Sequence, residues 1–373
     1  MPKMPDRKPI TFDDIVAFHA HEQPVMLRIA AGMSFKNMNL KEIRFIECDL
    51  SGCDFSGSIL TNAQFVSCDM KGAVFNDSTL TNTQFVSCNL DGAVLENTPV
   101  ERVQFAAGTI KNAKLSGSGF DQVSFAKPEM DGTDFSGATF FRAALLDTTL
   151  EGASFANAVL SNFMLTDADL RPVNITGTYI DIAVFADANL SGLDLSGQSW
   201  QHCTFHKAQF KGTNLDGANL NASVFAECDF EGATLRGVSA NTTSFTKSKL
   251  DGVDMSGSKF PLSNFAGASL SGARFNNSQM FSAVFQEADC RAVLFEQCDM
   301  RQADMSHADL SGASLSASAF SNTKFHAAKT DQTVMLGTTG NRIGTDADRA
   351  IAELYQPDKV ALDGDGQQNG GRI

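Results

Sequence analysis

The chain has 373 residues, 43% apolar and 9% aromatic, with 29 Lys and Arg against 43 Asp and Glu, a formal charge of −14. That balance speaks against direct nucleic-acid or anionic-membrane binding and favours a protein partner with a basic surface. No run of 18 apolar residues and no leader-like start occur, so no membrane span is expected. The expected setting is cytoplasmic, with a non-classical export route left open.

Residues 1–34 are expected to form an N-terminal helical cap. Thr11 with Asp14 three residues on forms a variant capping box, and Phe12, Ile15, Val16 and His19 fall at helical spacing, with Pro24 beyond as a breaker.

From Phe35 to Phe325 every fifth residue is apolar, 59 consecutive central positions of which only Ala240 and Cys290 are small. Two residues before each centre stands, most often, a small residue, such as Ala63, Cys68 and Ala73. The flanking positions are polar, and the second residue after the centre is often Gly or Asn, which tolerate the left-handed corner this spacing needs. Neither a 3.6 nor a 2.0 period fits. A longer beat of twenty appears in TNAQFVSCDMKGAVFNDSTL followed by TNTQFVSCNLDGAVLENTPV, residues 61–100. Four five-residue sides therefore close one coil, and stacked coils pair like strands roughly 4.8 Å apart, giving about 15 coils and a rod about 70 Å long.

The segments ANLSGLDLSG, ADLSGASLS and TNLDGANL resemble the A(D/N)LxX consensus of the pentapeptide-repeat family. That resemblance covers 35–325 and implies an all-β solenoid, a right-handed quadrilateral parallel β-helix with short helical terminal elements. Residues 326–360 are expected as a connector and an amphipathic helix carrying Ile343, Ala347, Ile351, Leu354 and Tyr355, opened by Thr345. Residues 361–373, ending in DGDGQQNGGRI, are expected to be disordered.

Sorted by position within the coil, the sides differ. One carries a Phe ladder at twelve of fifteen centres: Phe45, Phe65, Phe85, Phe105, Phe125, Phe185, Phe205, Phe225, Phe245, Phe265, Phe285 and Phe325. This is core. Another, centred at 50, 70, 90 and onward, carries twelve outward acids against six bases, an acidic stripe. Seven of the eight cysteines occupy the small inward position and Cys290 a centre, so they are read as reduced core thiols and not as a metal cluster. Asp147, Asp167 and Asp187 stack roughly 5 Å apart in successive coils, where a bound cation would relieve their repulsion.

No catalytic constellation is present: the six histidines show no HExxH spacing, and GxSxG and phosphate loops are missing. No enzyme activity and no cofactor are expected. The informative departures are large apolar residues at outward positions. Phe141, Leu146, Val159, Met164, Tyr179, Ile182 and Val184 fall on two adjacent sides over three coils. Leu262, Phe281 and Val284 follow about four coils on. Such contiguous apolar surface marks an interface, with a partner protein or a second copy of the chain.

The reading is a non-enzymatic binding or scaffold protein presenting a rigid rod. The resemblance also implies two alternatives: a DNA-mimicking modulator of an enzyme such as DNA gyrase, or a secreted bacterial effector. Mimicry over the full length fails on magnitude, because a 70 Å duplex carries roughly forty charges, whereas 35–325 nets only −12.

Overall fold

The computed structural model describes residues 7–354. It is a right-handed quadrilateral parallel β-solenoid of about 17 turns with two short helices, α1 (Phe12–Ala20) and α2 (Ala347–Leu354). The sides of successive coils pair in parallel with a register of twenty residues, from Lys8 with Arg28 to Ala319 with Thr339. The count exceeds the expected 15 because pairing runs past 35–325 at both ends: Val25 lies beside Phe45, and Arg342 beside Thr323.

The four faces are numbered in chain order: face 1 holds centres 45 and 65, face 2 holds 50 and 70, face 3 holds 55 and 75, and face 4 holds 60 and 80. The local chemistry of a side explains its residues. The Asp or Asn before a centre accepts the backbone N–H two residues on, as Asp54 Oδ1 does from Ser56 N at 3.0 Å and Asn214 Oδ1 from Asp216 N at 3.0 Å. This Asx turn starts the corner. The corner residue is left-handed in nearly every coil, at φ 64° for Gly52 and 60° for Asn62, Pro172 being the exception. The small inward hydroxyl or thiol donates to the central carbonyl of the coil below: Thr83 Oγ1 to Leu60 O at 2.8 Å, Cys53 Sγ to Ala30 O at 3.1 Å. Cysteine thus does the work of Ser or Thr. At Gly108 even Ala would not fit, since a Cβ there would meet Cys88 O at 2.1 Å.

Inside, all twelve Phe of the face 1 ladder are buried. Successive rings stack in parallel, as in Phe205 and Phe225 with centroids 4.9 Å apart, and meet face 3 rings edge-on, as in Phe55 and Phe65 at 5.9 Å. The ladder is interrupted at Leu145, Leu165 and Met305, and beside Leu165 Phe163, standing where a small residue is usual, turns inward against Phe140 at 5.4 Å.

At the N-terminal end α1 begins with the Thr11–Asp14 capping box and buries Ile15 in the core. At the other end α2 forms, but Ile343, Ala347 and Ile351 of its apolar stripe stay exposed and do not cover the last coil. A polar clasp described below holds the helix instead. Tyr355, the rest of the connector and the 361–373 tail lie outside the described residues. No described helix is long and apolar enough to cross a membrane.

Candidate interaction surface

Faces 4 and 1 differ from the rest of the rod over two coils. Elsewhere the strands last two or three residues, but Val159–Thr166 (β1) and Tyr179–Ala186 (β2) each run eight residues across the corner and join the two faces. They pair in parallel through seven residue pairs, which set Val159 beside Tyr179 and Met164 beside Val184. Ile182 stands at the shared corner. Tyr179 is 52% exposed and Ile182 48%, while Val159 and Met164 are also exposed and Val184 is half-buried. Val159, Tyr179 and Val184 suit a strand surface, while the shared corner keeps its left-handed angle, φ 49° at Asn162 and 54° at Ile182.

The other two residues of this group lie at its margin. Phe141 is opposite Ser161 and Leu146 opposite Thr166, so polar side chains separate them from the centre. Arg142 lies 4.5 Å over the Phe141 ring and pairs with Asp121 at 3.0 Å, covering part of that face. In the second group the Leu262 N–H donates to Phe281 O at 2.9 Å, and Leu262 is 58% exposed. Val284 is half-buried opposite Asn264. Exposed Val224 and Ile59 also belong to the outward columns of faces 1 and 4. They are single apolar residues at polar positions, a signal visible in the sequence but not contiguous with others.

The acidic face is less bare than its composition implies. Five of its six bases hold its acids: Lys111 reaches Asp131 at 3.3 Å, Arg171 Asp169 at 2.6 Å, Lys211 Glu231 at 2.9 Å, Lys249 Asp229 at 3.5 Å and Arg291 Asp289 at 2.6 Å. Arg171 and Arg291 hold the carboxyls of Asp169 and Asp289 below the usual range.

All eight cysteines are free and buried, and burial pushes the thiols of Cys53, Cys203, Cys228 and Cys298 up to about 12. Thiols so placed are poor nucleophiles and poor ligands. Asp147, Asp167 and Asp187 all occupy left-handed corners of one edge, and Lys127 lies 3.9 Å from Asp147. They are not the residues whose ligand atoms converge.

Among the described residues that distinction belongs to His307, His326 and Glu353, whose donor atoms all lie within 4.8 Å of one another. Sequence spacing gave no hint of them, because α2 brings Glu353 back over the last coils. Their hydrogen bonds argue against a metal. His326 Nδ1 accepts the Asp346 N–H at 3.1 Å, so Nε2 carries the proton and donates to Glu353 Oε2 at 3.0 Å. A ligating His has the opposite tautomer, with its outer N–H donating. The cluster is a clasp for α2, completed by His307 and Arg349, 3.2 and 2.7 Å from Glu353. His326 first, and Arg349 after it, hold the Glu353 carboxyl down to about 2.

Comparison with known proteins agrees with this architecture. The family profile "Pentapeptide repeat region" matches residues 58–135, and "Pentapeptide repeats (8 copies)" matches 183–221, 223–261, 262–289 and 288–326. Residues 136–182, which carry β1 and the start of β2, lie outside both. No curated protein matches the chain. Among solved structures, full-length QnrB1, a plasmid-mediated fluoroquinolone resistance protein, is 15% identical over 45% of this chain and 96% of its own, with a TM-score of 0.24. HetL, involved in heterocyst differentiation regulation in the cyanobacterium Nostoc sp. strain PCC 7120, is 22% identical over 74% of this chain and 97% of its own, with a TM-score of 0.21. A thylakoid-lumen pentapeptide repeat protein of Arabidopsis thaliana is 23% identical over 32% of this chain and 67% of its own, with a TM-score of 0.18.

Proposed function

The chain belongs to the pentapeptide-repeat family, whose members are generally non-enzymatic interaction proteins, and on that premise we propose that it is a scaffold that holds a protein partner on faces 4 and 1 at β1 and β2. The observation that carries this reading is the exposed apolar cluster of Val159, Met164, Tyr179 and Ile182, on the two strands that break the rod's polar outward pattern. A flat paired sheet face orders little on binding, which lowers the entropic cost of association. The acidic face supports a partner with a basic surface and steers its approach. A second copy of the chain is the alternative occupant.

The test compares wild type with Val159→Asp plus Tyr179→Asp. A charge in a desolvated apolar contact abolishes binding, so loss of the co-purifying partner, or of the dimer's mass in solution, supports the reading. Unchanged partners and unchanged mass refute it. Mimicry of DNA toward gyrase is the weaker reading, because ion pairs neutralise much of face 2. Inhibition or drug protection in a supercoiling assay at micromolar protein would reverse that ranking.

A further inference from the structure

Opposite the apolar cluster the backbone ladder is broken. On face 2 the bridges run without interruption from Ile29 to Thr149 and again from Asp169 to Lys329, yet none joins Thr149 to Asp169. On face 3 they run from Ser34 to Asn174 and from Asp194 to Val334, with none joining Asn174 to Asp194. The break steps by one coil at the corner between these faces, and Pro172 stands at that corner. The corner is left-handed on either side, at φ 68° for Gly152 and 73° for Gly192. Proline is fixed near −65° and has no N–H to donate upward, as Gly192 does to Lys211 O at 2.8 Å. Beside it, Val173 and Leu193 occupy inward positions that are usually held by smaller residues.

An independent sign lies in the core at the same level. An apolar cavity of about 20 Å³ lies behind the slit, between Leu170, Ile175 and Trp200. On faces 4 and 1 of the same coils, by contrast, β1 and β2 are joined by seven pairs.

We propose that the rod is hinged here: the slit on faces 2 and 3 opens and closes while the β1–β2 pair serves as the leaf. Backbone groups without partners on one side and a continuous ladder on the other give a single direction of bending, and local opening is drawn from the segments with fewest hydrogen bonds.

The test places spin labels at Ser136→Cys with Ser196→Cys, which span the slit on face 3. The control pair, Ser196→Cys with Ser256→Cys, is equally three coils apart, roughly 14 Å. The native thiols are buried and leave the introduced ones to react. The spanning pair should give a distance distribution about twice as wide as the control, narrowing to match it in Pro172→Gly. Amide exchange at Leu150 and Ile175, whose N–H groups lack the upward bond, should be at least about tenfold faster than at Met130 and Leu195, which have it. Equal widths in the wild type, or equal exchange, would overturn the hinge. A width unchanged by Pro172→Gly would overturn the role given to proline.

Discussion

At the residue scale the corner position is the most exacting. Ile182 holds φ 54°, a left-handed angle that costs a β-branched residue roughly 1–2 kcal/mol. Ile182→Gly should therefore raise stability by about 1 kcal/mol, read as a higher denaturation midpoint with an unchanged slope. On the proposed reading the same variant should also weaken partner binding. Gly108→Ala should act in the other direction, by about 1–3 kcal/mol, because the new methyl meets the Cys88 carbonyl and the backbone has to shift. The sequence makes such corners legible as Gly or Asn, but it does not announce which of them will tolerate Ile. Tolerance depends on the neighbouring coils holding the backbone in place.

At the scale of elements, the Phe ladder and α2 behave differently. Phe225 lies between Phe205 and Phe245, with stacking on both sides, and Phe225→Ala should cost about 3–5 kcal/mol. The helix α2 is held by charge and not by its apolar stripe, so its docking depends on pH. Glu353 titrates lower in the folded state than its ordinary 4.5, at about 2. A depressed carboxyl gives stability that is complete above the unfolded value and lost as pH falls through the folded one. Amide protection in α2 should hold above about pH 4.5 and decline toward pH 2, while protection of the ladder at Phe225 persists. Glu353→Gln should remove the α2 protection at neutral pH. The helix itself was legible from its periodicity. Its mode of attachment was not, because periodicity reports which residues share a face and says nothing of what that face meets.

At the scale of the whole molecule the unbroken five-residue phase determines the architecture, and the same phase serves as a ruler for what departs from it. Val159, Met164, Tyr179 and Ile182 were legible as outward exceptions because most coils carry polar or small residues at those positions. The slit on the far side lies in the same coils, with Pro172 at its corner and Val173 and Leu193 at inward positions that are usually small. Those residues keep an inward apolar pattern and so disturb no tally of polarity. Volume and φ distinguish them, and these act through packing between coils. The account joins the two: one stretch of the rod, Phe141 to Ser199, carries both the exposed apolar face and the broken ladder.

Photocrosslinking in intact cells tests the central claim most directly. A benzophenone side chain placed at Tyr179 should give a discrete higher-mass adduct, whereas the same group at Ser256, on face 3 and away from the cluster, should give none. Adducts of equal yield from both positions, or from Ser256 alone, would contradict the assignment of partner binding to faces 4 and 1.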